Sequence, residues 1–274
     1  MKLKHSNYLC TILLPIHQNV DIENKFGFTL RSIFKNKPKE FELLLLIDGN
    51  LNSSFKNKIS YFKKKNNFIV LQSKKVGLTK LLNKGINKTK TTWISRADSD
   101  DIYLKDYFYE SLKLIKKNYD LFGGQIIEFD DNKKHHFIKK KVPTESCSIK
   151  NSIKYRNPFN HMTVFFKKDF AKKLGGYPEI PFKEDYGLWV KFLSSGAKVC
   201  NSNKVFVRAR VNDSFYIRRS GLKHLFSELK IQHLLLTHRL TKIYISIVVF
   251  TIRIFFILMP LRLIKIFYQN ALRN

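Results

Sequence analysis

Short apolar runs alternate with longer mixed segments through the first hundred residues. Residues 10–14, 43–47, 68–71 and 93–97 are apolar-rich and bounded by polar or turn-forming positions, a pattern that predicts four strands. Between them, 26–34 and 78–86 repeat apolar residues at the spacing of one helix face. Strands alternating with helices imply an α/β class with a mostly parallel sheet covered on both faces. Such sheets bind ligands at the carboxyl ends of their strands. Two of those ends carry acids: Asp48 after 43–47, and Asp98, Asp100 and Asp101 after 93–97.

Downstream, Phe108, Leu112 and Ile115 mark one face of a helix over 106–117, and 121–129 reads as a strand. The polar stretch 130–141 suits a loop or hairpin tip. Residues 162–166 predict another strand, Leu188, Trp189, Phe192 and Leu193 a helical stripe, and 204–211 the last strand of a domain spanning 1–214. From Phe215 the character changes. Residues 215–274 hold ten Lys or Arg and a single acid, Glu228, among many aliphatic and aromatic side chains. Within this helical tail, the apolar run 243–259 contains Ser246, Thr251 and Arg253, and Pro260 ends it. A run that short with an internal arginine falls at or below spanning length. Two readings remain for it: a basic amphipathic segment lying in the headgroup plane of a membrane, or a helical hairpin buried against the preceding domain.

Composition narrows the partners. In a chain of 274 residues, 44% hydrophobic and 14% aromatic content exclude disorder and allow a full core. A formal charge of +30 attracts polyanions, whether nucleic acid, an anionic membrane surface or phosphorylated substrates. Cys10, Cys147 and Cys200 are widely spaced with no Cys-x-x-Cys pair, which fits reduced thiols in the cytoplasm. The apolar run 8–16 is short and broken by Pro15, so it reads as a first strand and not as a secretory signal. The expected location is cytoplasmic, peripheral on the inner face of the cell membrane.

Three carboxylates within residues 98–101 repel one another, and a solvated acidic turn is the simplest account of them. A strand leading into the cluster gives a second account. It fixes alternate carboxylates at a crevice edge, where a hard divalent cation takes one or two of them together with phosphate oxygens. Likewise Glu184 and Asp185 open a helix, where acids are favoured by the dipole.

The run from Gly77 to Ile86, followed by Trp93, Arg96, Asp98, Ser99, Asp100 and Asp101, resembles the core of family 2 glycosyltransferases, in particular bacterial polysaccharide and O-antigen sugar transferases. The resemblance extends over about residues 8–220. It implies a GT-A fold, a Rossmann-like nucleotide-binding sheet in which an Asp-x-Asp motif holds Mn²⁺ or Mg²⁺ on the diphosphate of a nucleotide-sugar. By this resemblance Asp100 is a direct metal ligand, Asp98 lies near the metal or the ribose, Asp101 supports the loop, and Arg96 lines the donor site. Asp48, in a strand ending where Ile47 replaces the family's first acid, becomes the base-recognition carboxylate, and Pro15 opens the donor-side loop of the first strand that includes His17. The family places a Glu-Asp-Tyr-x-Leu-Trp sequence where Glu184 to Trp189 stand. Asp185 is thereby the catalytic base and Glu184 its orienting neighbour. His161 resembles an acceptor-side residue that contacts acceptor or diphosphate, or else caps its strand. Arg218 and Arg219 match a basic element able to grip phosphate.

The expectation is therefore an inverting, metal-dependent transfer of a sugar, UDP-linked by analogy, to a hydroxyl of a lipid-linked glycan in bacterial surface polysaccharide synthesis, with no nucleic acid involved. The competing reading is a non-catalytic, basic nucleic-acid-binding protein, which the net charge and the abundance of Phe and Tyr favour. Acids gathered at strand ends oppose it, because they would repel a polyanion. An inactive, membrane-bound relative is opposed by the intact acids of both clusters.

Overall fold

A computed structural model describes residues 8–131, 137–211 and 222–258. Four parallel strands form one half of its sheet: β1 (Cys10–His17), β2 (Phe41–Asp48), β3 (Ile69–Ser73) and β4 (Trp93–Arg96), in the spatial order β3-β2-β1-β4. The connections are α1 (Val20–Asn36), α2 (Ser53–Lys65) and α3 (Leu78–Lys88). β1 and β2 read as nearly unbroken apolar runs because both of their faces are covered. On one face Ile12, Leu14, Leu43 and Leu45 meet Phe26, Leu30 and Phe55 of α1 and α2. On the other, Leu13, Leu44 and Leu46 meet Leu81, Leu82 and Ile86 of α3.

Caps explain two departures from the sequence pattern. α1 starts six residues before the expected stripe, since the Asn19 side chain accepts from the Ile22 N–H at 3.2 Å and Asp21 and Glu23 occupy its first turn. α2, absent from the periodicity reading, is capped by Asn52, which accepts from the Phe55 N–H at 2.7 Å, and buries Phe55, Ile59 and Phe62. Those three lie at helical spacing among lysines and asparagines that dilute the signal.

The second half is mixed. β5 (Ile102–Tyr103), α4 (Lys105–Lys116), β6 (Leu121–Phe129), β7 (Phe137–Lys140), α5 (Ser146–Ser152), a 3₁₀ turn at His161–Thr163, β8 (Phe165–Lys167), α6 (Lys168–Lys173), α7 (Glu184–Ser194) and β9 (Val199–Arg210) follow. The sheet continues β4-β8-β6-β9-β5, with β8 antiparallel to both neighbours, β9 parallel to β6, and β7 pairing β6 as a hairpin. The expected strand at 162–166 is displaced because Thr163 turns its hydroxyl onto the Asn160 carbonyl (2.8 Å) and receives the Gly124 N–H (3.0 Å). β9 begins five residues earlier than expected, its pattern interrupted by a register shift opposite Gly123 and Gly124. Glycine is required there: a Cβ on Gly124 would lie 2.5 Å from the buried Phe206 ring.

The last elements among the described residues are α8 (Leu222–Thr237) and α9 (Ile243–Leu258). α8 buries Ile231 and Leu235 in the same core layer as Leu188 and Trp189 of α7, and α9 packs on α8. The helical character expected for the tail is thus present, as a hairpin docked on the preceding fold. The expected division at 214/215 falls in residues 212–221, which lie outside the described residues.

Candidate active site

The carboxyl ends of β1, β2 and β4 lie along one edge of the sheet, with His17 paired to Asp48 across β1 and β2. The carbonyls of Leu9, just before β1, and of Leu13 face β4, accepting from Trp93 and Ala97. Pro15 has the same parity but lies beyond the pairing with β4, so its missing N–H breaks no ladder bond. His17 is exposed beside it.

Beyond β4 the acidic loop is held from three sides. The Thr29 hydroxyl reaches the carbonyls of Ser99 (3.0 Å) and Asp101 (2.7 Å), and the Asp98 N–H donates to the Tyr103 hydroxyl (2.6 Å). From the end of β9, the Arg210 N–H donates to Asp101 Oδ1 and its Nε–H to the Asp100 carbonyl, each at 2.9 Å. Asp101 is consequently buried, and its carboxyl is pushed well above the ordinary range by burial and then by the charges of Asp100 and Asp98. It supports the loop. Asp98 and Asp100 remain half-buried on the open side.

Arg96 is 4% exposed and binds the Asp98 carboxylate at 2.5 Å, while also donating to the Ala97 carbonyl. Its Nε is buried without a hydrogen-bond partner.

The second cluster stands at the start of α7. Asp185 is half-buried and its Oδ2 accepts from the Asn157 amide at 2.7 Å. Burial raises its carboxyl, opposed by the N–H of Tyr186, by Asn157 and by the Lys183 charge. Glu184 is buried and is pushed up to about 7, first by burial and then by the charge of Asp185. The two clusters sense each other: Arg96 lowers the proton affinity of Glu184 and Asp98 raises it. The Tyr177 hydroxyl, raised mainly by burial, senses Arg96, Asp185, Glu184 and Asp98 together. The end of β4 and the start of α7 therefore lie close enough for their charges to act on one another.

Other expected site residues are placed less directly. Asp48 accepts from the N–H groups of Val76 (2.7 Å) and Gly77 (3.0 Å), bracing the turn into α3, where Gly77 takes a positive φ of 85°. Each of its oxygens keeps a lone pair for a further donor. His161 Nε2 lies 3.0 Å from the Tyr177 hydroxyl, and burial followed by the Arg96 charge keeps the ring neutral. Arg218 and Arg219 lie outside the described residues. Tyr177 and Lys183 have no signal in the sequence beyond the adjacency of Lys183 to Glu184, whereas Asn157 opens the stretch 157–161 that resembles the family's acceptor-side loop, without a role of its own.

For a divalent cation, no group of three or more His, Cys, Asp or Glu forms a cage among the described residues. Asp98 and Asp100 supply two hard oxygen donors at the end of β4, and their charges, after burial, add to the lift of Asp101, a repulsion of the kind a cation relieves. The donor set thus fits a cation completing its shell from a bound diphosphate. A separate concavity of about 640 Å³, lined in part by Glu110, Tyr119, Lys198 and Asn201, opens at the amino ends of β6 and β9. That is the opposite edge of the sheet, away from these carboxylates.

The sequence profile of Glycosyl transferase family 2 matches residues 11–174. The chain is 34% identical over 253 residues to the UDP-Gal:alpha-D-GlcNAc-diphosphoundecaprenol beta-1,3-galactosyltransferase of Escherichia coli, covering 89% of this chain and 90% of that protein. It is 28% identical over 263 residues to the amylovoran biosynthesis glycosyltransferase AmsE of Erwinia amylovora, covering 95% and 98%. Among solved structures, S. aureus TarS 1-349 superposes with a TM-score of 0.63 at 19% identity, covering 90% of this chain and 72% of that one, a likeness of fold.

Proposed function

The chain belongs to glycosyl transferase family 2 and is a glycosyltransferase of the GT-A fold; from that premise we propose that it transfers a sugar from a UDP-linked donor to a hydroxyl of a lipid-linked glycan, with inversion and with Mn²⁺ or Mg²⁺ at the donor diphosphate. The observation that carries this reading is the closeness of the Arg96–Asp98 pair to Glu184 and Asp185, whose charges act on one another. In the reaction, the acceptor oxygen bonds to the anomeric carbon as the bond from that carbon to the diphosphate oxygen breaks, its electron pair leaving with UDP. The hydroxyl proton passes to Asp185, which Asn157 orients. One displacement with one base inverts the anomeric centre.

Asp98 and Asp100 are the residues that would hold the cation, whose contribution when bound is to neutralise charge on the departing diphosphate. Arg96 adds a buried donor on the same side. Asp48 and Pro15, at the ends of β2 and β1, line the position of the uridine. Support for a uridine donor comes from the name of the E. coli relative and from TarS, whose structure is known with UDP-GlcNAc. The diphosphoundecaprenol in the relative's name supports a lipid-linked acceptor. The test is UDP release from a panel of UDP-sugars, with and without a polyprenyl-diphosphate-linked sugar and Mn²⁺. Acceptor-stimulated release from one donor is expected; no release from any UDP-sugar would remove the proposed donor class.

A lipid-borne acceptor calls for a membrane contact, and α9 has a surface for it. Tyr244, Ile247, Val248, Ile252, Phe255 and Phe256 form an outward stripe, each more than 40% exposed. Arg253 turns inward onto Glu228, so its charge leaves this stripe. Lys223, Lys230 and Lys242 are exposed along the hairpin. Among the described residues no helix is long and apolar enough to cross a membrane. An apolar stripe with flanking cations suits a helix lying in an anionic interface. Co-sedimentation with phosphatidylglycerol vesicles is expected, weakened at least about tenfold by Phe255→Asp or by neutral phosphatidylcholine, at roughly 1 kcal/mol per cation near the surface. Equal partition onto both lipids would exclude the electrostatic part of this contact.

A further inference from the structure

Glu228 is the one acid in residues 215–274, and it is wholly buried, at 0% exposure. It sits on α8 and ties together three parts of the molecule. Its Oε2 receives Lys183 Nζ from the residue just before α7, and Arg253 Nη1 from α9 at 2.9 Å. Its Oε1 receives the Gln232 amide at 2.8 Å, and Gln232 in turn accepts from Ser246 of α9 at 2.8 Å. Burial by itself would push this carboxyl up; Arg253 and Lys183 overcome that and hold it below its ordinary value. Both oxygens of the charge are thus matched.

Two lines run from this hub to Asp185. Lys183 lies two residues before it, on the loop that enters α7, and Phe182 in that loop has a positive φ of 63°, a costly conformation for a bulky residue. Its ring is stacked on His224 of α8, with centroids 4.2 Å apart. The second line goes through Arg253, whose Nη2 donates to the Tyr155 carbonyl. Two residues on stands Asn157, the side chain that binds the Asp185 carboxylate. The residue entering α7 and the turn bearing Asn157 are therefore both anchored by the C-terminal hairpin.

We infer that Glu228 is a positioning residue for the carboxylate pair at the start of α7, and that the C-terminal hairpin is a working part of the active site. Buried ion pairs are weak contributors to stability compared with apolar packing of the same volume, but they fix geometry where both charges are matched. The hub lies where an error of an ångström in the base would be felt in the rate. The inference rests on the reading of Asp185 as the base.

The test is Glu228→Gln in the full chain, measured in the UDP-sugar transfer assay together with UDP affinity, thermal unfolding and amide hydrogen exchange. A fall of about 10- to 100-fold in kcat is expected, with the donor KM within about twofold. Amide protection should be lost at 153–160 and 181–187 but kept in β1, β2 and β4. Glu228→Asp, which keeps the charge, should recover part of both the rate and the protection. Wild-type kcat and protection in Glu228→Gln would overturn the inference, as would a fall in kcat matched by equal loss of UDP affinity and global unfolding. Asp185→Asn run alongside separates the two readings. If it turns over normally, the base assignment fails by itself, and the exchange pattern alone decides whether Glu228 holds the α7 entrance.

Discussion

Replacing Asp185 with asparagine should lower the transfer rate by about 10²- to 10⁴-fold while leaving UDP affinity within about twofold, the range for loss of a positioned general base. Asparagine keeps the shape, but its amide cannot take the acceptor's proton. In the intact protein the neighbouring acid is partly protonated near neutral pH. Asp185 and Glu184 release their protons in sequence, and the Asp185 charge, added to burial, holds Glu184 up to about 7. In the intact protein the rate should therefore rise with pH through the raised ionisation of Asp185, because only the carboxylate form accepts a proton. In Asp185→Asn, Glu184 loses the neighbour's charge but stays buried, so its ionisation moves to lower pH without reaching the ordinary value. The pH dependence of the residual rate measures that shift. A variant within about threefold of wild type would place the base elsewhere, and a parallel collapse of UDP affinity would point to a structural role.

Removing a carboxylate on the donor side should cost about 10²- to 10³-fold in kcat/KM, as for other single contacts to developing charge. Asp98 and Asp100 are expected to differ in kind. Asp98 also neutralises Arg96 at 2.5 Å, so Asp98→Asn leaves a buried guanidinium without its carboxylate and couples loss of donor-site geometry to loss of a ligand. Asp100→Asn is the cleaner probe of the cation. Its activity should recover in part at higher Mn²⁺, and calorimetric binding of Mn²⁺ in the presence of UDP should weaken in step. The intact enzyme should lose turnover in EDTA and regain it with Mn²⁺. Full activity in EDTA would remove the cation from the proposal and leave Arg96 as the group that meets the diphosphate charge.

Much of the parallel half of the sheet was legible along the chain. Runs that become β1, β2 and β4 are apolar because both faces are covered, and acids stand at the less buried ends of two of them. α2 was not legible: three apolar positions spaced for a helix face stand among six lysines and asparagines, and the deciding cap is one side chain, Asn52. β8 and the start of β9 were misjudged because Thr163 and the two glycines of β6 shape them through contacts from other elements.

The site divides in the same way. Strand ends and helix starts are local features that mark Asp98, Asp100, Glu184 and Asp185, while the roles of these acids come from the family resemblance. The resemblance sets Asp101 apart as the loop support, and packing supplies the physical reason: Arg210, 109 residues from Asp101, holds that acid against β9. The sequence also shows Arg253 only as a charge that argues against a membrane span. Only the fold of α8 and α9 against the loop before α7 turns it inward to Glu228, 25 residues away, and so connects the tail to Asp185. Local order follows from periodicity and capping within a few residues, whereas the pairing of buried charges depends on which distant surfaces exclude water together.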